Sequence, residues 1–187
     1  MLTRISIFLL VLSLAACGGN EDLFLVPPVT TPAAPIAVGA QSLEVRDVIL
    51  PAYVAEADIL VQEADGALRP VGGALWADDP RTGITQALAR RLDLGTTATV
   101  AAEPWPLFDG PDRSVQVTID RMVARADGQF ELGGQFAVIS RSGAAREFLR
   151  RFEIVEPYAG PDPQSVADAL GRALTALSSR IAESIAR

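Results

Sequence analysis

Val115-Gln116-Val117-Thr118-Ile119-Asp120, Asp127-Gly128 and Phe130-Glu131-Leu132-Gly133-Gly134-Gln135-Phe136-Ala137-Val138 decide the fold of this chain. Val115, Val117, Ile119 and Val123 stand at alternating positions, with Ser114, Gln116, Thr118 and Asp120 between them. A strand throws successive side chains to opposite faces, so the pattern predicts one apolar and one polar face. Asp127-Gly128 turns the chain, and Phe130, Leu132, Phe136 and Val138 repeat the alternation. Ser142-Gly143 turns it again, and Phe148, Phe152 and Ile154 continue. The expectation is a three-stranded antiparallel meander whose apolar face needs a cover.

The cover is readable on both sides. Downstream, Pro157 and Pro161 close the last strand and Asp162-Pro163 opens a helix. Aspartate caps orphan N–H groups, and proline suits the first helical position. Val166, Leu170, Leu174, Leu177, Ile181 and Ile185 then form one stripe, on a helix of about 36 Å over residues 163–186. Upstream, Asp79-Pro80 opens a second helix with Ile84, Leu88 and Leu92 four apart and Ala87 and Leu94 alongside. Arg90 and Arg91 are read as facing out, and Gly95 as lying just past the end. Shorter strands are expected at 43–50, 58–63 and 98–102, the last ended by Pro104-Trp105-Pro106. Asp65-Gly66 turns the second of these into residues 67–76, which Pro70 and Gly72-Gly73 mark as irregular or near an edge. The fold class is α+β: a two-layer sandwich of a mostly antiparallel sheet with two helices packed on one face.

Composition narrows the chemistry. The chain has 187 residues, no histidine and one cysteine, and all 16 of its basic residues are arginine. That leaves no Ser-His-Asp or Cys-His arrangement, no Schiff-base lysine, no Walker lysine and no CxxC pair. The net charge of −7 argues against nucleic acid and against polybasic adhesion to an anionic membrane.

The amino terminus supplies another route to a membrane. Arg4 precedes the apolar run Ile5–Leu14, then Leu14-Ala15-Ala16-Cys17-Gly18 follows. The run is too short to span a bilayer but has the anatomy of a signal peptide. Leu14, Ala15 and Ala16 before Cys17 read as a bacterial lipobox. Residues 1–16 are then a signal peptide, and Cys17 becomes the first residue, carrying a diacylglycerol and an N-acyl chain. Three chains anchor stably where one does not. Gly18 in place of an aspartate favours the outer membrane, with the domain in the periplasm. Residues 17–42 read as lipidated terminus, polar tether and Pro-rich loop, with a short strand at 23–26, and 43–187 as the α+β domain.

Few residues compete for chemistry. Asp78-Asp79 is an adjacent acid pair, but a hard-cation site needs six or more oxygens and capping accounts for Asp79. Asp109 and Asp112 flank Gly110-Pro111 in a loop where solvation accounts for them. Arg150 and Arg151 alternate to opposite faces of a strand. No metal site or cofactor is expected beyond the lipid on Cys17. Tyr53, Trp76 and Trp105 each stand near the end of an element and are the candidate partner-binding residues, core packing being the alternative for the tryptophans.

These features occur in an order that resembles the ABC-type transport auxiliary lipoproteins, including the lipoprotein of the paraquat-inducible system that works with MCE-type lipid transporters. The resemblance is carried by the lipobox, Leu23-Phe24-Leu25, the run Leu43, Val45, Val48, Leu50, Pro51, Tyr53, then Ile59-Leu60-Val61 and Trp76-Ala77-Asp78. The Ile84–Leu92 helix, Pro104-Trp105, the Val115–Arg121 strand and Leu177-Ser178, Ile181-Ala182 complete it. Val54-Ala55-Glu56 stand where the family often has a leucine and an arginine. The resemblance implies a small sheet with helices on one side and a non-catalytic periplasmic subunit of an intermembrane lipid transport system. It further implies an MCE-domain partner and docking at the outer membrane; separately, a ring-shaped homo-oligomer would suit a conduit. The alternative is an outer-membrane assembly lipoprotein that scaffolds or plugs a β-barrel translocon. A carboxylate glycosidase would require two acids facing across a cleft.

Overall fold

The computed structural model describes residues 21–29, 34–143 and 145–187. The leader 1–16 with Leu14, Ala15 and Ala16, the lipidation residue Cys17 and residues 18–20 and 30–33 lie outside the described residues. The elements run β1 (Asp22–Phe24), β2 (Ser42–Val45), a 3₁₀ turn (Ala52–Val54), β3 (Asp58–Gln62), β4 (Leu68–Trp76) and α1 (Pro80–Gly95). They continue with β5 (Thr99–Ala102), β6 (Arg113–Arg125), β7 (Gln129–Ser140), β8 (Phe148–Pro157) and α2 (Pro163–Ala186). The expected meander is β6-β7-β8, paired antiparallel along nearly its whole length.

The sheet is mixed: β6 pairs antiparallel with β7 on one edge and parallel with two shorter strands on its other edge. Residues 42–62 cover that edge in two parallel pieces. β2 pairs its start, Leu43↔Arg113 to Val45↔Val115, and β3 pairs its end, Val61↔Ala124 and Gln62↔Arg125. A bridge at Ile49↔Thr118 joins them. β5 extends the sheet beyond β2, and β4 then β1 extend it beyond β3. β4 is a penultimate strand rather than an edge. Its irregularity is a register shift against β3 between Asp58 and Leu60, with Gly72 and Gly73 at positive φ.

Both helices cover one face. Ile84, Leu88 and Leu92 of α1 and Leu170, Leu174, Leu177 and Ile181 of α2 join one core with Leu43, Val45, Val115, Val117, Phe136 and Val138. Full burial of each such side chain stabilises by about 1.5–3 kcal/mol. Both caps form as the sequence implies. Asp79 accepts from Thr82 N at 2.9 Å and Asp162 from Ser165 N at 2.9 Å. The Ser165 bonds hold the Asp162 carboxyl below its usual range. Gly95 is the last residue of α1 rather than the first beyond it; Thr96 caps the end, its hydroxyl donating to Leu92 O at 2.8 Å.

One expected core position is on the wrong face. The β6–β7 register shifts between Ile119 and Arg121, leaving Asp120 as an extra residue. A bulge of one residue reverses the facing of everything after it. Met122 and Ala124 therefore oppose Leu132 and Phe130 on the core side, while Val123 opposes Glu131 on the other. Val123 is buried there, outside the main core, as is Val54 of the 3₁₀ turn. Gly134 permits the bulge. A Cβ at this position would stand 2.1 Å from Thr118 O and 3.0 Å from Ile119 Cα. Beside the bulge, on the face without helices, Glu131 is held by both Arg121 and Arg125, and Arg125 also reaches Asp127 at 2.6 Å. The Arg125 hydrogen bond, joined by Arg121, lowers the Glu131 carboxyl from its usual range.

Gly134→Ala is expected to destabilise the domain by about 2 kcal/mol or more, read from the urea midpoint. Gly133→Ala, where the new Cβ meets only ordinary 3.6 Å contacts, is expected to cost less than about 1 kcal/mol. The lowered Glu131 carboxyl sets a sign for acid behaviour. Its contribution is present above the unfolded value of about 4.3 and is lost as pH falls through the folded value. Wild type is thus expected to melt above Glu131→Gln at pH 6, with the gap closing below about pH 4; a gap that widens in acid is the contrary result.

Candidate functional site

The amino-terminal strap is tied down by an arginine that the sequence reading placed in solvent. β1 lies parallel to β4, Asp22↔Ala74 to Phe24↔Trp76, and Phe24 O accepts from Ala77 N at 2.8 Å. Phe24 and Val26 pack against the core, and Pro27 rests on α2 at Gly171, where a Cβ would stand 3.4 Å from the proline ring. Arg91 is 5% exposed and reaches from α1 to all of these parts. Its Nη2 donates to Pro27 O at 2.8 Å and Gly171 O at 3.2 Å, Nη1 to Ala87 O at 3.1 Å and Nε to Thr175 Oγ1 at 3.1 Å. Arg90 does face out, 3.5 Å from Asp93. Every Arg91 acceptor in the described structure is neutral, and burial pulls its guanidinium below the usual arginine range. The signal was present in the sequence: positions 84, 88, 91 and 95 fall on one helical face.

Between the strap, α1 and the end of β4 lies an apolar cleft of about 280 Å³, lined by Phe24, Val26, Pro28, Trp76, Ile84 and Met122 among others. Trp76, 8% exposed, forms part of its wall and of the core. Tyr53 serves the neighbouring backbone: its hydroxyl accepts from Met122 N at 3.1 Å. Trp105 is at the other end of the sheet, in the loop before β6, half-buried, with Nε1 donating to Asp109 O at 2.7 Å. The structure thus brings Tyr53 and Trp76 around Met122 and leaves Trp105 apart, so the three do not form one platform.

Asp78 and Asp112 are occupied by backbone. Asp78 accepts from Asp79 N at 2.8 Å, and Asp112 accepts from Gln41 N at 2.7 Å and Ser42 N at 3.2 Å. Arg150 lies 5.3 Å from the centre of the Phe148 ring. Among the described residues no three His, Cys, Asp or Glu side chains could hold a metal ion, and no helix is long and apolar enough to cross a membrane.

Residues 24–182 match the model of the ABC-type transport auxiliary lipoprotein component. The chain belongs to this family. Family members are auxiliary components of transport systems rather than an enzyme family, and their association is with a transport system. Two crystal structures share the fold. One is an uncharacterized protein, 18% identical, with a TM-score of 0.72 over 89% of this chain and 99% of that one. The other is a Xanthomonas campestris protein of the DUF330 family, 20% identical, with a TM-score of 0.71 over 87% of this chain and 93% of that one. No curated protein matches the chain.

Arg91→Met keeps the helix and the volume but removes the bonds to Pro27 O and Gly171 O. The strap is expected to loosen locally: amide exchange at 22–28 should speed by roughly tenfold or more, as for a lost charge-assisted bond, while the β6–β7 amides keep their protection.

Proposed function

We propose that the mature chain is an outer-membrane lipoprotein facing the periplasm, which docks an MCE-domain lipid transport assembly and catalyses no reaction itself. The observation that carries this reading is the position of the family match. It begins at residue 24, inside β1, seven residues after the lipobox cysteine, and runs to residue 182 in α2. The chain after the leader is therefore almost wholly a transport auxiliary domain on a short tether. Three acyl chains on Cys17 supply retention at the leaflet, and the domain supplies recognition. The residue inventory agrees, since Asp79 and Asp162 are engaged as caps, Asp112 accepts from the Gln41 backbone and the chain has no histidine or lysine.

Envelope fractions and crosslinked pull-downs test this. Wild type is expected in the outer-membrane fraction with an MCE-domain protein in its crosslinked complex, and Cys17→Ser in the soluble periplasm. Recovery of wild type in the inner-membrane fraction, or of a β-barrel in place of the MCE protein, would overturn it.

A further inference from the structure

We propose that the end of the sheet remote from the membrane anchor is a docking site for an acidic segment of a protein partner. The segment lies in a basic cleft and is gripped by an exposed aromatic tip beside it. The orientation rests on the lipid-anchored reading above.

Strand direction fixes which end is remote. β1 runs parallel to β4, β4 antiparallel to β3, and β3 parallel to β6. β1 therefore runs against β6, and the chain enters it from the side of the Arg125 end. Cys17 precedes Asp22 by five residues, at most about 17 Å of extended chain. The bilayer thus lies toward the Arg125 end, and the Arg113 end points away from it.

That remote end carries a reversal of charge. A cleft of about 610 Å³ is lined by Arg113, Arg146, Arg150 and Arg187, with Asp112 its one acidic lining residue. Asp112 is already taken by the Gln41 and Ser42 N–H groups. Arg113 donates to Gly39 O at 3.1 Å and Arg150 rests over Phe148, but none of the four makes an ion pair among the described residues. In a chain of net charge −7, this hollow suits carboxylates, which guanidinium groups receive in pairs of parallel bonds.

The tip stands on the loop before β6. Phe108 is fully exposed and Leu107 is 60% exposed. The loop beneath them is braced. Glu103 N donates to Val45 O at 2.8 Å, Trp105 Nε1 to Asp109 O, and Asp112 N to Ser42 Oγ at 2.9 Å. An aromatic held out on a rigid loop anchors a partner with little ordering cost. Tip and cleft form one surface, because Arg141 N, in the β7–β8 turn that carries Arg146, donates to Asp112 O at 3.1 Å. The Arg141 guanidinium also lies where a Cβ on Gly110 would fall. A lipid headgroup would require the bilayer at this end, whereas the chain enters β1 from the side of the other.

The test places a photoreactive benzoyl-phenylalanine at Phe108, or at Leu23 beside the tether, in the full chain in the cell envelope, with adducts identified by mass spectrometry. The expected result is a lipid adduct from position 23 and an adduct with a transport-system subunit from position 108. The latter should fall at least tenfold when Arg146→Glu and Arg150→Glu are added. Should that pair fail to fold, Arg146→Gln with Arg187→Gln is expected to give a smaller fall in the same direction. An adduct with an identified periplasmic protein outside any transport system, equally sensitive to the arginines, would uphold the docking site and sink the transport reading. Adducts at 108 only with lipid or a second copy, no adduct at all, or indifference to the arginine changes would overturn the proposal.

Discussion

The pairing of β6 along both edges is the constraint on which the rest of the structure hangs. Each backbone N–H and C=O of a buried strand needs a partner, and β6 is 13 residues long. β7 serves one edge continuously. The other is served by a segment that pairs, bridges at Ile49, loops out through the 3₁₀ turn and pairs again. Ile49 N donates to Val117 O at 3.0 Å and Ile49 O accepts from Ile119 N at 2.9 Å. Where the chain loops out, the Tyr53 hydroxyl takes the Met122 N–H that no strand reaches. Parallel pairing on this edge follows from the route of the chain. Residues 42–62 run the way β6 runs, β2 meeting its start and β3 its end.

A second organising contact joins the two helices to the amino-terminal strap. Arg91 gathers carbonyls from the strap, α1 and α2, so the strap is docked on both helices. The strap is held as well by the parallel pairing of β1 with β4. Together these hold the segment from Asp22 to Pro27 against the domain.

The meander, the two capped helices and their apolar faces were legible because period-2 and period-3.6 patterns, Asp-Pro starts and Asp-Gly turns are local signals. The mixed pairing was not, since no local pattern tells which edge of β6 a distant strand will meet. Val123 was assigned to the core by unbroken alternation, and the extra residue at Asp120 breaks it. The unusual pair Gly133-Gly134 opposite was the available sign, because a close backbone approach demands a missing Cβ. Arg91 was misplaced by residue type: an arginine on an apolar helical face is assigned outward unless enough carbonyls converge on it, and those come from Pro27 and Gly171, far away in sequence. Of the candidate aromatics, periodicity could say only that they end elements. Which share a neighbourhood depends on the order of strands.

The neutrality of the acceptors around Arg91 sets how the strap answers to its medium. Ion pairs on the open face of the sheet, such as Arg125 with Asp127, are exposed and weaken as ionic strength rises and the Debye length shortens toward a few ångströms. The Arg91 contacts are short hydrogen bonds from a buried cation to carbonyl and hydroxyl oxygens, with no counter-charge for dissolved ions to screen. The strap therefore keeps its hold on the two helices as the surrounding salt concentration changes, while the surface charges follow it.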